Sequence, residues 1–485
     1  MKRLSGLDAA FLYLETEKTP MHIGGVAILD GHTPDGPFTL EKLRDLISSR
    51  LAASRTLTEK LVDVPLGLGR PYWIQDADFD IERHIERTQL PEPGGFRELA
   101  ALVSWQVAEL LPRDRPLWHL LVVEGLDTVP NVPPGSVAII SRVHHAAVDG
   151  MSGTEIMRAI YDPTPTPKAF PVPPEAPPPK KPKALDLLTG KAATDDDEGG
   201  VGIGSLVKDA LEGVVRTGAT WAFKRVEPPP FPFAAPRSVF NGSVTRDRTW
   251  DCAHFSLDRV RAIRQATGAT VNDVVLAVCA GALRSYLAER DELPEDPLVA
   301  MVPISVRAEE QKKAMGNQVS AMLVSLATDV DDAGERFNNV RQSAQHSKLY
   351  NKAVGARTLT DASDFVPFSV AGLATRLYTR MHLADRHRPV FNLVITNVPG
   401  PQVPLYVAGA KLQANAGLGP IFDSMGLIVP VFSYNGRIAI SFVSSPNLLE
   451  DAARLASFIE PSLADLEAAL LDTEIQEGAG DEESD

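Results

Sequence analysis

The chain has 485 residues, 44% of them hydrophobic, and a formal net charge of −15. That length is too great for one ordinary core and predicts two domains, and the acid excess argues against nucleic acid as a principal partner. Two cysteines, Cys252 and Cys279, give neither a disulfide framework nor a metal cage, which fits a reducing cytoplasm.

Much of the charge is local. Asp195–Glu198 carries −4 and the tail from Glu474 carries −6, leaving −5 for the folded body. The N-terminus lacks the apolar core of a signal peptide. No uninterrupted apolar run approaches the roughly 20 residues needed to span a bilayer, so lipid substrates would be met peripherally.

In chain order, residues 21–30 read as an early strand, and Thr39–Arg55 carries Leu40, Leu43, Leu46, Ile47 and Leu51 at helical spacing. Tyr72–Gln75 reads as a short strand. Phe96–Leu111 reads as an amphipathic helix ended by Pro112. Leu117–Glu124 and Ser136–Val143 are further strands. Arg113-Asp114-Arg115-Pro116-Leu117-Trp118 reads as a polar turn with a tryptophan anchor. The order has no strict βαβ rhythm, so the expected fold is mixed α and β, with a large mixed sheet and packed helices.

From Pro163 the composition shifts. Ten prolines fall between 163 and 182, followed by Lys180-Lys181-Pro182-Lys183 and an acidic, glycine-rich stretch. Such a segment cannot bury enough apolar surface to offset its ordering entropy. Within it, Ser205–Lys224 has one apolar face, and either packs on the body or faces a membrane or lipid droplet. The expected boundaries are 1–162, a linker at 163–236, a second domain at 237–473 and an acidic tail at 474–485. In the second domain Val260–Thr267, Asn272–Leu287, Ala333–Lys348 and Ala362–Leu383 read as helices. Leu298–Val306, Gln318–Thr328, Val390–Thr396, Leu427–Ser433 and Arg437–Val443 read as strands. Asn447–Leu471 reads as one long closing helix.

Chemistry concentrates at Ser136–Gly153. A buried strand ends in His144-His145, and Asp149-Gly150 turns the chain into a short helix marked by Ile156, Met157 and Ile160. Neighbouring residues on a strand point to opposite sides, so one histidine at most faces a given cavity. A neutral imidazole is a suitable general base near pH 7. Asp149 is placed to fix the turn, a ring or a neighbouring arginine, and Gly150 permits backbone that a Cβ would forbid. No Cys/His/Glu set has metal-ligand spacing, and no metal is expected. No Gly-x-Gly-x-x-Gly, Walker or Gly-x-Ser-x-Gly sequence occurs, which leaves no nucleotide-cofactor fingerprint and no nucleophile elbow. Asn272-Asp273 opens an apolar helix, either as caps or as donors to an oxyanion. Arg307 closes a strand as a solvated charge or as a partner for Asp149, with Arg142 as its rival. Thr396-Asn397 sits at another strand mouth. Lys312-Lys313 and the stretch Arg376, Arg380, Arg386, His387 and Arg388 are either phosphate-binding or solvated.

The stretch His144-His145-Ala146-Ala147-Val148-Asp149-Gly150 matches the HHxxxDG motif of CoA-dependent acyltransferases and condensation domains. Leu4-Ser5-Gly6-Leu7-Asp8-Ala9, Pro20–Gly25, Pro116-Leu117-Trp118, Asn272–Ala277, Pro303–Arg307, Thr396–Pro401 and Tyr434-Asn435-Gly436 follow in order to about residue 445. Together they make the chain resemble the bacterial wax ester synthase/diacylglycerol acyltransferase family. The resemblance implies two chloramphenicol-acetyltransferase-like halves with the site between them. It implies acyl-CoA as a substrate rather than a cofactor, and diacylglycerol or a long-chain alcohol as acceptor. It implies His145 as general base, His144 as its support, Asp149 and Gly150 as loop organisers, and Asn272 as oxyanion donor. A cytoplasmic protein associated peripherally with membrane or lipid bodies is expected. A related acyltransferase with another donor or acceptor, or a lipid-binding protein, is the alternative.

Overall fold

Alternate residues of the long strands go to different cores, and that alternation builds the molecule. The computed structural model describes residues 1–65, 70–148, 152–170, 235–305, 319–354 and 388–471. Its main strands are β1 (His22–Leu29), β2 (Ile85–Gln89), β3 (Trp118–Glu124), β4 (Val137–His144), β5 (Thr249–Ser256), β6 (Val299–Ser305), β7 (Val319–Ser325), β8 (Leu393–Pro399), β9 (Tyr406–Val407), β10 (Ala410–Leu418), β11 (Leu427–Tyr434) and β12 (Arg437–Ser444). The helices are α1 (Gly6–Leu14), α2 (Leu40–Ser48), α3 (Phe96–Ala108), α4 (Ser152–Ile160), α5 (Leu257–Thr267), α6 (Val271–Glu289), α7 (Ala333–Val354), α8 (Ala452–Ser457) and α9 (Ile459–Leu471).

Two six-stranded mixed sheets result. The first has the order β9-β10-β1-β4-β3-β2, and the second β5-β12-β11-β8-β6-β7. On the first sheet Ala27, Leu29, Val122, Val137 and Ile139 pack against α2 and α4. Their neighbours Val26, Ile28, Val123, Ala138 and Ile140 enter a second core with Leu99, Val103 and Val107 of α3. That same core takes Trp250, Val394, Ile428 and Val443 from the second sheet. The opposite face of the second sheet, including Ala300, Val302, Leu393 and Ile395, packs on α5, α6 and α9. Residues 137–140 of β4 read as an unbroken apolar run because the sheet is covered on both faces.

Several elements differ from the sequence reading. β10, on the C-terminal side of the expected boundary at 237, pairs antiparallel with β1 and so lies in the first sheet. The apolar positions Ala414, Ala416 and Leu418 alternate as a strand requires, while an irregularity before Ala414 sends Leu412 to the opposite core; nothing local names the partner sheet. The closing helix is two, α8 and α9, meeting at Phe458. Pro461 has no N–H to continue an incoming helix and suits the first turn of a new one. Helix α6 is long and apolar enough to cross a membrane, yet 72% of that window is buried; Val274–Ala280 of α6 lies inside the second domain's core. The expected helices Ser205–Lys224 and Ala362–Leu383, most of the linker and the acidic tail lie outside the described residues.

One buried ion pair ties α2 to the end of α4. The fully buried Arg50 donates from one terminal nitrogen to both oxygens of Asp162, each at 2.8 Å. It also donates to the Ala159 carbonyl at 3.2 Å and the Lys168 carbonyl at 2.9 Å. Removing one partner strands a charge in the core, so Arg50→Ala is expected to cost about 3–5 kcal/mol, read by urea unfolding. A loss under about 1 kcal/mol would show that water reaches the orphaned carboxylate.

Candidate active site

His144 ends β4, and His145–Ala147 forms a single 3-10 turn behind it. The turn is held from several sides. The Nδ1 of His144 accepts the Ala146 N–H at 3.0 Å, capping the turn. The Met21 carbonyl accepts the His145 N–H at 2.8 Å. Thr56 donates its hydroxyl to the Ala147 carbonyl at 2.8 Å. Ala146 packs with Leu4, Ala9 and Leu12, so α1 forms one wall. Helix α1 in turn is capped by Ser5, whose hydroxyl oxygen accepts the Asp8 N–H at 3.1 Å. A cavity lined by Arg3, Arg55, Thr56, Trp73 and Ala146–Ala147 opens beside the turn.

The two imidazoles have different chemistry. A neutral ring carries one donor and one acceptor. Nδ1 of His144 is the acceptor, so Nε2 carries the proton and donates to Glu15 Oε1 at 3.1 Å. Both its nitrogens are committed. His145 lies flat against Phe11, with ring centroids 3.7 Å apart and planes 15° from parallel. Its Nδ1 is buried without a hydrogen-bond partner, and among the described residues no hydrogen bond engages Nε2; with the proton on Nδ1, the Nε2 lone pair is the one presented for chemistry. Burial is the chief influence on its acidity, and the neighbouring His144 pushes the same way. Together they outweigh the pull of its own carbonyl and lower the pKa to about 4. The ring is therefore neutral at pH 7, with a lone pair to accept a proton.

The structure adds residues that the sequence reading did not single out. Phe11 and Glu15 both come from the N-terminal helix and its cap. Glu15 is gripped on its second oxygen by Arg113, at 2.6 and 3.2 Å. Burial alone would raise its carboxyl, but the hydrogen bonds from His144 and Arg113 hold it at about 2. His22 stands directly across from His144 in the β1–β4 register. It is 1% exposed, and neither ring nitrogen has a partner. Burial first, then the nearby Arg142, keeps its pKa well below the usual value. A periodicity reading sees His22 only as a strand residue.

Other expected residues fall into place differently. Asp149, Gly150, Arg307, Lys312, Lys313, Arg376, Arg380, Arg386 and His387 lie outside the described residues. Arg142, the rival partner for Asp149, spends its terminal nitrogens elsewhere. One donates to the Gln106 and Glu109 carbonyls at 2.7 and 2.9 Å, satisfying the end of α3, and the other lies 3.2 Å from His119 Nδ1. The cap of α6 is Thr270, whose hydroxyl oxygen accepts the Asp273 N–H at 3.2 Å while Asp273 accepts the Thr270 N–H at 2.9 Å. Asn272 is thus not the cap. Its Oδ1 accepts from Asn397 Nδ2 at 3.4 Å, joining the start of α6 to the Thr396-Asn397 end of β8. No hydrogen bond among the described residues links that pair to His144 or His145.

Comparison with known proteins decides the family. The catalytic-domain model of wax ester synthase/diacylglycerol acyltransferase matches residues 4–275, and the C-terminal-domain model of the same family matches residues 315–467. The chain belongs to this family. It is 32% identical over 472 residues to O-acyltransferase WSD of Acinetobacter baylyi, covering 96% of each protein. The wax ester synthase/diacylglycerol acyltransferase structure from Marinobacter aquaeolei VT8 superposes with a TM-score of 0.68 at 29% identity, over 96% of this chain and 99% of that one. A Fusarium sporotrichioides trichothecene 15-O-acetyltransferase, 12% identical, shares the fold with a TM-score of 0.55 over 96% and 94% of the chains. The mixed-sheet, two-part acyltransferase architecture implied by the sequence is the one observed.

The stacked ring offers a direct check. The His145 imidazole is expected to titrate near pH 4 by NMR. A histidine whose pKa burial has depressed gains basicity when opened to water, so Phe11→Ala is expected to move the midpoint up toward about 6.5. A wild-type midpoint already between about 6 and 7 would contradict the buried geometry.

Proposed function

We propose that the protein is an O-acyltransferase that moves a long-chain acyl group from acyl-CoA to diacylglycerol, and also to long-chain alcohols, with His145 as general base. The observation that carries this reading is a neutral imidazole whose ring nitrogens are not engaged by the frame, on the HHxxxDG turn of a chain of this family. The acceptor hydroxyl gives its proton to His145 Nε2 while its oxygen attacks the thioester carbonyl. The tetrahedral oxyanion collapses, the carbon–sulfur bond breaks, and the proton passes from the imidazolium to the CoA thiolate. No covalent acyl-enzyme is needed, and no cofactor beyond the two substrates is invoked. A low-pKa base is a weak one, but it is in its working form at every physiological pH.

Asn272 is assigned as a donor to the oxyanion. Its Oδ1 is held by Asn397, which fixes the amide plane and leaves Nδ2 for a ligand. Asp149 and Gly150 are assigned to the loop between the turn and α4. To meet greasy substrates, the protein is assigned to the cytoplasmic surface of a membrane or lipid body.

The decisive experiment gives purified protein radiolabelled palmitoyl-CoA with diacylglycerol or hexadecanol and resolves the products. Triacylglycerol, with or without wax ester, is expected; free acid alone would make the protein a hydrolase. His145→Ala is expected to fold normally and lose about 10²–10⁴-fold in turnover. Near-normal turnover in that variant would refute the base. Asn272→Ala is expected to lower kcat about 10²-fold with little change in KM, and the opposite split would make Asn272 a binding contact.

A further inference from the structure

We propose that Glu15 is a positioning residue for acyl transfer, one carboxylate that sets both motif histidines; the proposal rests on His145 being the base. Glu15 caps the C-terminal end of α1, far in sequence from the motif, and its side chain is 5% exposed. Oε1 accepts two hydrogen bonds, from His144 Nε2 at 3.1 Å and from the Met21 N–H at 3.3 Å. Met21 then accepts the His145 N–H on its carbonyl at 2.8 Å. A single oxygen thus fixes the ring of one histidine and, through one residue, the main chain of the next.

The second oxygen explains how such a buried charge is tolerated. Arg113 donates two hydrogen bonds to Oε2 from a side chain that itself reaches solvent. The pair puts opposite charge against the carboxylate, and the remaining lone pairs are used by His144 and Met21, which is the condition for burying an ion at modest cost. Against burial, the hydrogen bonds from His144 and Arg113 keep Glu15 ionised down to about pH 2, so the lock is set throughout any working pH.

The tautomer of His144 is the mechanical link. With the carboxylate taking the Nε2 proton, Nδ1 is a lone pair and caps the Ala146 N–H at 3.0 Å. Were the ring to carry its proton on Nδ1 instead, two N–H groups would face each other. The turn that presents His145 would lose its cap, and the stacking on Phe11 would have to shift with it. A residue that only stabilised the fold would lower the melting temperature without changing what the folded protein does.

The test compares Glu15→Ala with Glu15→Gln in the full-length protein. Glutamine keeps an oxygen for His144 and Met21 and releases Arg113 to water. Glu15→Ala is expected to lower kcat by at least about tenfold with the palmitoyl-CoA KM changed less than about twofold, and Glu15→Gln to recover most of the loss. Nitrogen NMR of His144 should show the Nε2–H form in the wild type and in Glu15→Gln, and a mixture in Glu15→Ala. Unchanged kcat in folded Glu15→Ala, or a lost kcat with the His144 tautomer intact, or a glutamine no better than alanine, each overturns the proposal. The tautomer measurement needs no substrate. If the wild type moved no acyl group from acyl-CoA, the base assignment would fall, while the spectra would still decide whether Glu15 locks the ring.

Discussion

A three-residue turn cannot hold two imidazoles in place by its own hydrogen bonds. Its polar atoms are largely removed from water, and each must find a partner or remain at a cost. The residue just before β1 supplies the Met21 carbonyl, a 3-10 segment supplies Thr56, and the N-terminal helix and its cap supply Phe11 and Glu15. The consequence is a division of labour. His144 has both nitrogens engaged and acts as a fixed part of the frame. His145 has no ring nitrogen tied to the frame: its N–H holds the turn through the main chain, and its ring is held by stacking on Phe11.

The same economy explains the placement of the arginines. Arg113 neutralises Glu15, Arg142 closes the carbonyl end of α3, and Arg50 ties α2 to α4. In each case a guanidinium meets acceptors whose lone pairs would otherwise go unmet. The core shared by the two sheets brings α3, Trp250 and β10 together behind the site. Because β10 comes from late in the chain and joins the early sheet, the two halves are tied by main-chain hydrogen bonds as well as by side-chain packing.

Much of the fold was readable along the chain. The strands at Trp118–Glu124 and Leu427–Tyr434 fall where apolar, β-branched runs predict them, because burial on both faces leaves a local signature, and the short strand at Tyr72–Gln75 also falls where it is expected. Helix α1 leaves no such signature: its nine residues, three of them leucine and almost all apolar, have no polar face to reveal a period. β10 was missed because its alternation is filled with Gln, Asn and Lys, residues that read as loop until the partner strand is known. At the site, the HHxxxDG letters located the turn and its two histidines. They did not reveal Glu15 or Phe11, which carry no motif of their own in a single sequence; His22 and Arg113 stand in the Pro20–Gly25 and Arg113–Trp118 stretches, but nothing local says what they touch.

The sequence by itself determined the composition class, the mixed α/β elements, the family and the position of the two histidines, since each of these is written in residues close along the chain. Tertiary structure alone decided which histidine has a nitrogen to spare, why its ring is neutral, and which distant carboxylate holds its neighbour. The reason is physical. Proton affinity and tautomer depend on burial and on partners across space, and the partner of His144 lies at the far end of a helix that the chain left behind before the first sheet began.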